Sequence, residues 1–274
     1  MIFDFYRQFG ALNSGPVFDA FEKGLKLLGH TVQNSTGQGD VAVIWSVLWH
    51  GRMRSNQEVY QSYRRQNKPV VVLEIGGLDR DTTWKIGING INQGSYFVRG
   101  DKDQARANKL GLALQDWKKG SNILICGQHE KSQQWENMPP MADWVSAQIK
   151  EIRQYTDRPI KVRQHPRSLF RLDRQFDNVV LDAYTPFKED LNNAWAVVNW
   201  CSNPGTESII HGVPAFVGPK SLAAPVANLS LETIETPNRP ERQQWLNNIA
   251  WTEWTLEEMS VGLPQQYLTM EIGK

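Results

Sequence analysis

Residues 196–218 read AVVNWCSNPGTESIIHGVPAFVG, and their punctuation sets the local architecture. An apolar run ending at Trp200 reads as a buried strand. The small-residue turn Cys201-Ser202-Asn203-Pro204-Gly205 follows, a helix opens at Thr206 and closes at Gly212, and Pro214 leads into another short strand. Strand, tight turn, helix and strand in immediate succession form the repeating unit of a sheet whose strands are covered on both faces.

The same alternation runs outward in both directions. Strands are predicted at 2–6, 41–45, 70–74, 123–126, 160–163, 179–181, 196–200 and 215–217, and helices at 17–28, 56–66, 105–117, 141–156, 187–193 and 206–211. Several strands are continuous apolar runs, as in parallel sheets buried on both sides, and the chain is expected to be a doubly wound α/β protein. The polar stretch 115–122 (QDWKKGSN) breaks the pattern before a fresh strand. It predicts a first domain over 1–117 and a second over 118–254, with a terminal helix over about 255–274 packing back on the first. Thr255, followed by Glu257 and Glu258, reads as the capped start of that helix.

Composition narrows the class. Of 274 residues, 40% are hydrophobic and 22% charged, and 30 basic against 29 acidic residues leave a net charge of +1. No global field draws the chain to nucleic acid or to an anionic membrane. The cysteines, Cys126 and Cys201, lie in apolar runs, which excludes a disulfide framework or a cysteine-rich zinc site and fits a reducing cytoplasm. The start carries Asp4 in its apolar run and no cleavage signature, and no apolar run approaches the ~20 residues that span a bilayer. A soluble protein of the cell interior is expected. Most of the 11 tryptophans are expected in the core. Charge is uneven: residues 51–109 hold eleven basic and six acidic side chains, a net +5, and residues 200–274 carry a net −4.

Four stretches carry chemistry. Ser202, Asn203, Gly205 and Thr206 lie where backbone N–H groups collect at a helix start, a ready phosphate site, and Glu207 is suited to accept from a ribose or sugar hydroxyl. The plain alternative is a capped helix without ligand. In PIKVRQHPRSLF, residues 159–170, Arg163, His165 and Arg167 follow a short strand and suit a diphosphate. Gly127, Gln128 and His129 follow the strand at 123–126, with Gln128 the binding candidate. Glu74 ends an apolar strand ahead of Gly76 and Gly77 and is a candidate general base, with Asp79 and Asp81 as rivals. Pairing of any of these carboxylates with Arg80 or Lys85 is the structural alternative. No GxxxxGK[ST], HExxH or GxSxG occurs, and no metal site is expected.

Taken in order, Leu73-Glu74 with Gly76, Gly127-Gln128, Val162-Arg163 with His165-Pro166, and Ser202, Gly205, Glu207, Gly212 and Pro214 resemble the capsule polysaccharide synthesis proteins, which are Kdo-transferase-like glycosyltransferases of the GT-B fold. The resemblance spans about residues 41–218. It implies two Rossmann-like doubly wound domains with the donor site in the cleft between them. Arg163 and His165 would meet the donor phosphates, and Ser202, Gly205, Thr206 and Glu207 the phosphates or sugar. Family members carry an acidic residue where this chain has Ile75, which leaves the base open among Glu74, Asp79 and Asp81.

The expected activity is transfer of a sugar from a nucleotide-sugar donor, a UDP-sugar, to an acceptor hydroxyl. It would be inverting and without a tightly bound metal or cofactor. A compact chain with a basic segment in its first domain also resembles the viral enzymes that glycosylate hydroxymethylated bases in DNA. For such a double-stranded DNA acceptor, in the host cytoplasm, Trp49 and Trp84 would stack on a flipped base, and Arg52 and Arg54, with Arg64 and Arg65, would meet phosphates. The alternatives are a glycan or capsule-type acceptor, a sugar-nucleotide epimerase, and a binding module without catalysis.

Overall fold

A computed structural model describes residues 1–273; Lys274, the last residue of the expected terminal helix, lies outside the described residues. The chain divides into two units. One comprises Met1–Leu110 and the chain from Asn247 onward, the other Gly111–Leu246.

The first unit is built on a six-stranded mixed sheet. Its strands are β1 (Ile2–Phe5), β2 (Thr31–Asn34), β3 (Val41–Trp45), β4 (Val70–Ile75), β5 (Trp84–Ile88) and, much later in the chain, β11 (Glu253–Trp254), in the order β11-β5-β4-β3-β1-β2. β2, β1, β3 and β4 are parallel, and β5 and β11 add an antiparallel margin. Every residue of β3 is buried because both faces are covered. Phe3, Phe5, Val43, Trp45 and Leu73 pack against Phe18, Phe21 and Leu25 of α1 (Gly15–Leu27), while Ala42, Ile44 and Val72 pack with Tyr63 of α2 (Asn56–Arg65). Each fully buried Val, Leu, Ile or Phe contributes about 1.5–3 kcal/mol, which is what holds the layers together.

β2, β5 and β11 are absent from the sequence reading. β2 is a half-exposed edge strand, β11 has only two residues, and β5 (WKIGI) breaks its apolar run with Lys85 and Gly87. The helix expected over 105–117 is the short α3 (Ala105–Lys109). It stops because Gly111 adopts a left-handed backbone at φ 66°, a common helix terminator. In the returning segment, Thr255 and Glu258 form a reciprocal capping box at the start of α8 (Leu256–Ser260), and α9 (Leu263–Ile272) follows. Met259 and Leu268, from these two helices, join the α1 face of the core. Arg106 of α3 lies over the Trp254 ring at 3.9 Å and is held in a buried, two-pronged ion pair by Glu258 (2.8 and 2.9 Å).

The second unit is a fully parallel five-stranded sheet of β6 (Asn122–Cys126), β7 (Ile160–Arg163), β8 (Val179–Asp182), β9 (Ala194–Asn199) and β10 (Ala215–Val217), in the order β10-β9-β6-β7-β8. In the unit's own succession this is the classic Rossmann order, which reverses direction between its first and fourth strands, here β6 and β9. Ile123, Ile125, Val162 and Val198 pack against Trp144, Val145 and Ile149 of α4 (Met141–Ile152). Leu124 and Val197, on the opposite face, pack with Leu191 of α5 (Phe187–Leu191). α6 (Asn203–Ile210) joins β9 to β10, and α7 (Gln243–Ile249) runs through the point, between Leu246 and Asn247, where the chain passes back to the first unit.

Candidate functional site

Open α/β sheets bind ligands outside the carboxyl ends of their strands at the point where strand order reverses. In the second unit that point lies between the exits of β6 and β9. The β6 exit carries Gly127, Gln128 and His129. Gln128 is buried and its Oε1 accepts the Cys201 N–H (3.3 Å), so the two exits are tied together. At the β9 exit, Asn199 Nδ2 donates to the carbonyl oxygen (2.9 Å) and the hydroxyl (3.0 Å) of Ser202. Ser202 is the N-cap of α6 in extended backbone, yet its hydroxyl makes no capping bond to the helix. Gly205 is required by close approach, since a Cβ there would stand 2.6 Å from Asn199 Oδ1. That buried oxygen accepts no hydrogen bond. Thr206 is buried in the same first turn, while Asn203 and Glu207 are half-buried.

The β7 exit contributes Arg163 and His165. Arg163 is pinned: Nη1 pairs with Asp190, Nη2 donates to the Thr185 carbonyl (2.7 Å), and the guanidinium lies over Phe187 at 5.4 Å. Lys161 completes this cluster through Asp182 (2.7 Å) and Asp190 (2.8 Å). Lys161 and its neighbours hold the Asp182 carboxyl far below the usual carboxylate range. Burial pushes the Cys126 thiol up to about 12; the Arg163 charge opposes that rise, and Asp190 and Glu207 add to it. His165 meets His129 edge to face, with ring centroids 5.6 Å apart. Arg167, two residues further on, is exposed. Beside Asn199 and Trp200 opens a cavity of about 290 Å³, walled by Trp144, Phe216 and Ser230. Gln128, His165 and the Ser202–Thr206 turn are thus gathered at one end of one sheet. His129 and Asn199 were not assigned from sequence, although a polar residue closing an apolar strand (VVNW) is a readable signal.

In the first unit, Glu74 stands at the carboxyl end of β4. Its Oε2 accepts the Ser46 hydroxyl (2.5 Å) and its Oε1 the Ile75 N–H (2.9 Å). Ser46, the residue that follows β3, is buried with left-handed backbone at φ 64°, an uncommon conformation for serine and often found at functional sites. Burial raises the Glu74 carboxyl above its ordinary range, outweighing the Ser46 hydroxyl, the Ile75 and Val47 amides and the Lys85 charge. Asp79 and Asp81 are exposed in the turn that follows. That turn is anchored by Glu253, whose carboxylate accepts the Gly77 N–H (2.8 Å), the Leu78 N–H (3.0 Å) and the Thr83 hydroxyl (2.8 Å). A carboxylate 176 residues away along the chain had no signal in the local sequence.

The residues read as acceptor contacts lie in the first unit. Trp49 packs against Tyr60 with centroids 5.8 Å apart, and Trp84 is paired in β5 and packed on the core. Arg52 Nε donates to the Gly10 carbonyl (3.4 Å), Arg64 Nη1 to the Lys68 carbonyl (3.2 Å), and Arg54 and Arg65 are exposed. Among the described residues no group of three or more His, Cys, Asp or Glu side chains could hold a metal ion, and no helix is long and apolar enough to cross a membrane.

No protein-family model matches the chain, and no curated protein matches it. Solved structures do. One, described as the beta Kdo 2,4 transferase of KpsC from Thermosulfurimonas dismutans, superposes with a TM-score of 0.56 at 13% identity, covering 92% of this chain and 89% of that one. Another, described as the beta Kdo 2,7 transferase of KpsC from the same organism, gives 0.52 at 14% identity, covering 97% and 99%. At such identities the likeness is one of fold: the chain has the GT-B glycosyltransferase fold, with two Rossmann-like α/β units.

Proposed function

We propose that the chain is a glycosyltransferase moving a sugar from a nucleotide-sugar donor, a UDP-sugar, to an acceptor hydroxyl, with inversion and without a tightly bound metal. The observation that carries this reading is that Gln128 and the Ser202–Thr206 turn lie at the reversal point of a Rossmann-ordered sheet, with His165 at the exit of the neighbouring strand β7. Backbone donors of the α6 start, with His165 and Arg167, suit the donor phosphates, and Glu207 suits a ribose or sugar hydroxyl. The cavity beside Trp200, walled by aromatic rings, suits a base.

In the displacement, the acceptor oxygen bonds to the anomeric carbon as the bond from that carbon to the phosphate oxygen breaks. The electron pair leaves on the nucleotide diphosphate, and the acceptor proton passes to Glu74. A carboxyl held above its ordinary range by burial is suited to take that proton. Asp79 and Asp81 remain rivals for this role and are separated from Glu74 by substitution. The acceptor is a glycan hydroxyl or the hydroxymethyl group of a pyrimidine in DNA; exposed Arg52, Arg54 and Arg65 are the side chains on offer to a DNA backbone.

The test incubates the purified chain with a panel of UDP-sugars and, in separate arms, oligosaccharides and 5-hydroxymethylcytosine DNA, with product read by mass. Acceptor-dependent UDP release with a matching mass gain is expected. Conversion of the donor without any acceptor would select an epimerase, and no turnover in any arm would leave the transferase reading without support.

A further inference from the structure

A further cavity, of about 300 Å³, opens in the first unit at the end of β4 away from Glu74. Pro69, which leads into β4, and Asn89, which follows β5, both line it. The strands are tied there: the Asn89 N–H donates to the Val70 carbonyl (2.7 Å), and the Val70 N–H donates to Asn89 Oδ1 (3.0 Å). At ~3.3 Å per residue, the five steps from Pro69 to Glu74 separate this cavity from the candidate base by about 16 Å. Its chemistry is therefore independent of the displacement described above.

Two guanidinium groups line the cavity. Arg64, in the last turn of α2, is half-buried, and its Nη1 donates to the Lys68 carbonyl (3.2 Å), which fixes the fork in place. Arg99, exposed in the loop after β5, lies over the Tyr96 ring at 5.0 Å. Tyr96 is itself set by two backbone hydrogen bonds with Ile88 (3.0 and 3.1 Å). Among the described residues that line the cavity, Glu271 of α9 is the one acid. It stands 3.8 Å from Arg99 Nη2, wider than a hydrogen bond. Two oriented cations against one carboxylate leave a positive excess, and a guanidinium fork matches the paired oxygens of a phosphate or carboxylate. Pro69, Ile88 and Ile272 add apolar surface, the last two from the core that packs on α1. A bare ion has no use for that surface, whereas an organic anion removes its own apolar body from water there.

We infer that this cavity binds a small organic oxyanion, a phosphate monoester or a carboxylate on a ring-sized apolar body, with Arg64 and Arg99 as its anchors. The volume is at the small end for ligand pockets, which limits the body to about one ring. The site lies within one unit and stands whether or not the chain transfers a sugar. The experiment titrates the full chain with phenyl phosphate, benzoate and inorganic phosphate in separate arms, by calorimetry and by ¹H–¹⁵N amide spectra.

Phenyl phosphate or benzoate is expected to bind and to move the amides of Asn67 and Gly94, two residues of the cavity wall, and the tighter of the two identifies the charged group. Arg64→Gln and Arg99→Gln should each weaken that ligand about tenfold. Lys23→Gln, at an exposed lysine of α1 outside the cavity, should leave it unchanged. Binding that leaves the Asn67 and Gly94 amides still, or that both arginine variants retain in full, overturns the site. No binding of either organic anion up to about 10 mM overturns it as well. Inorganic phosphate held as tightly as phenyl phosphate overturns the organic anion. The wild-type spectra decide the matter even where Arg64→Gln folds poorly.

Discussion

Glu74 and Lys85 face each other in register across the antiparallel pair of β4 and β5, and the same ammonium stands 3.8 Å from Glu253 Oε1. One lysine thus serves two carboxylates, a half-buried one at a strand exit and a fully buried one that anchors the following turn.

Glu74→Gln is expected to lower kcat by about 10²–10⁴-fold, the usual contribution of a positioned base, with Asp79→Asn and Asp81→Asn within about threefold of wild type. Because burial raises the Glu74 carboxyl, kcat/KM should fall on the acid side at a pH above the ordinary carboxylate range. The stability effect has the opposite sense to a salt-bridged acid. With the folded value raised, the native state holds its proton longer, so stability is full below the ordinary value and declines as pH rises through the raised one. Glu74→Gln should therefore raise Tm at pH 8 by about 3 °C, with the gain vanishing near pH 4. A larger loss of kcat in Asp79→Asn would move the base to the turn.

Glu253→Gln replaces an acceptor of three hydrogen bonds by an amide that must point an N–H group at donors. A loss of about 2 kcal/mol in denaturant unfolding is expected, with faster protease cleavage within residues 76–83. Exposed Glu257→Gln serves as the control and should cost under about 0.5 kcal/mol.

Arg106 and Lys109 hold the Glu258 carboxyl down at about 2 against the opposing effect of burial. A depressed carboxyl contributes stability that is present above its unfolded value and is lost as pH falls toward 2. Glu258→Gln leaves buried Arg106 without its counter-charge and should cost about 3 kcal/mol at pH 7. Unfolding curves at pH 7, 5, 4 and 3 should show the gap between variant and wild type closing over the last two steps.

Gly205→Ala places a methyl 2.6 Å from Asn199 Oδ1 and 3.0 Å from Val217 Cγ1, both on buried side chains. A loss of about 2 kcal/mol is expected from overpacking, together with loss of UDP binding by calorimetry. Retained affinity with lowered stability would separate the turn's packing from ligand binding.

Much of the second unit was legible in its sequence because its signals are local. Apolar strands such as ILIC and AVVN end at small or polar residues, and helices 141–156 and 206–211 carry their punctuation beside them. The antiparallel margin of the first sheet was not legible, since β5 is held by β4 and β11, and β11 is two residues arriving from far down the chain. The site divides the same way. Glu74, His165 and Ser202 announce themselves at strand ends. The roles of Ser46 and Glu253, and the engagement of Arg163 by Asp190, exist only in three dimensions, where pairings 28, 176 and 27 residues apart are made.

The return of Glu253, Trp254 and Glu258 to the first sheet also sets an order of events during synthesis. A ribosome finishes residues 111–246 as an uninterrupted stretch, and that unit can fold as soon as it emerges. The sheet begun at Ile2 must wait, with Arg106 lacking its counter-charge and the loop after Glu74 unanchored, until Glu253 and Glu258 leave the exit tunnel. The unit whose first strands precede residues 111–246 in the chain is therefore completed only after them.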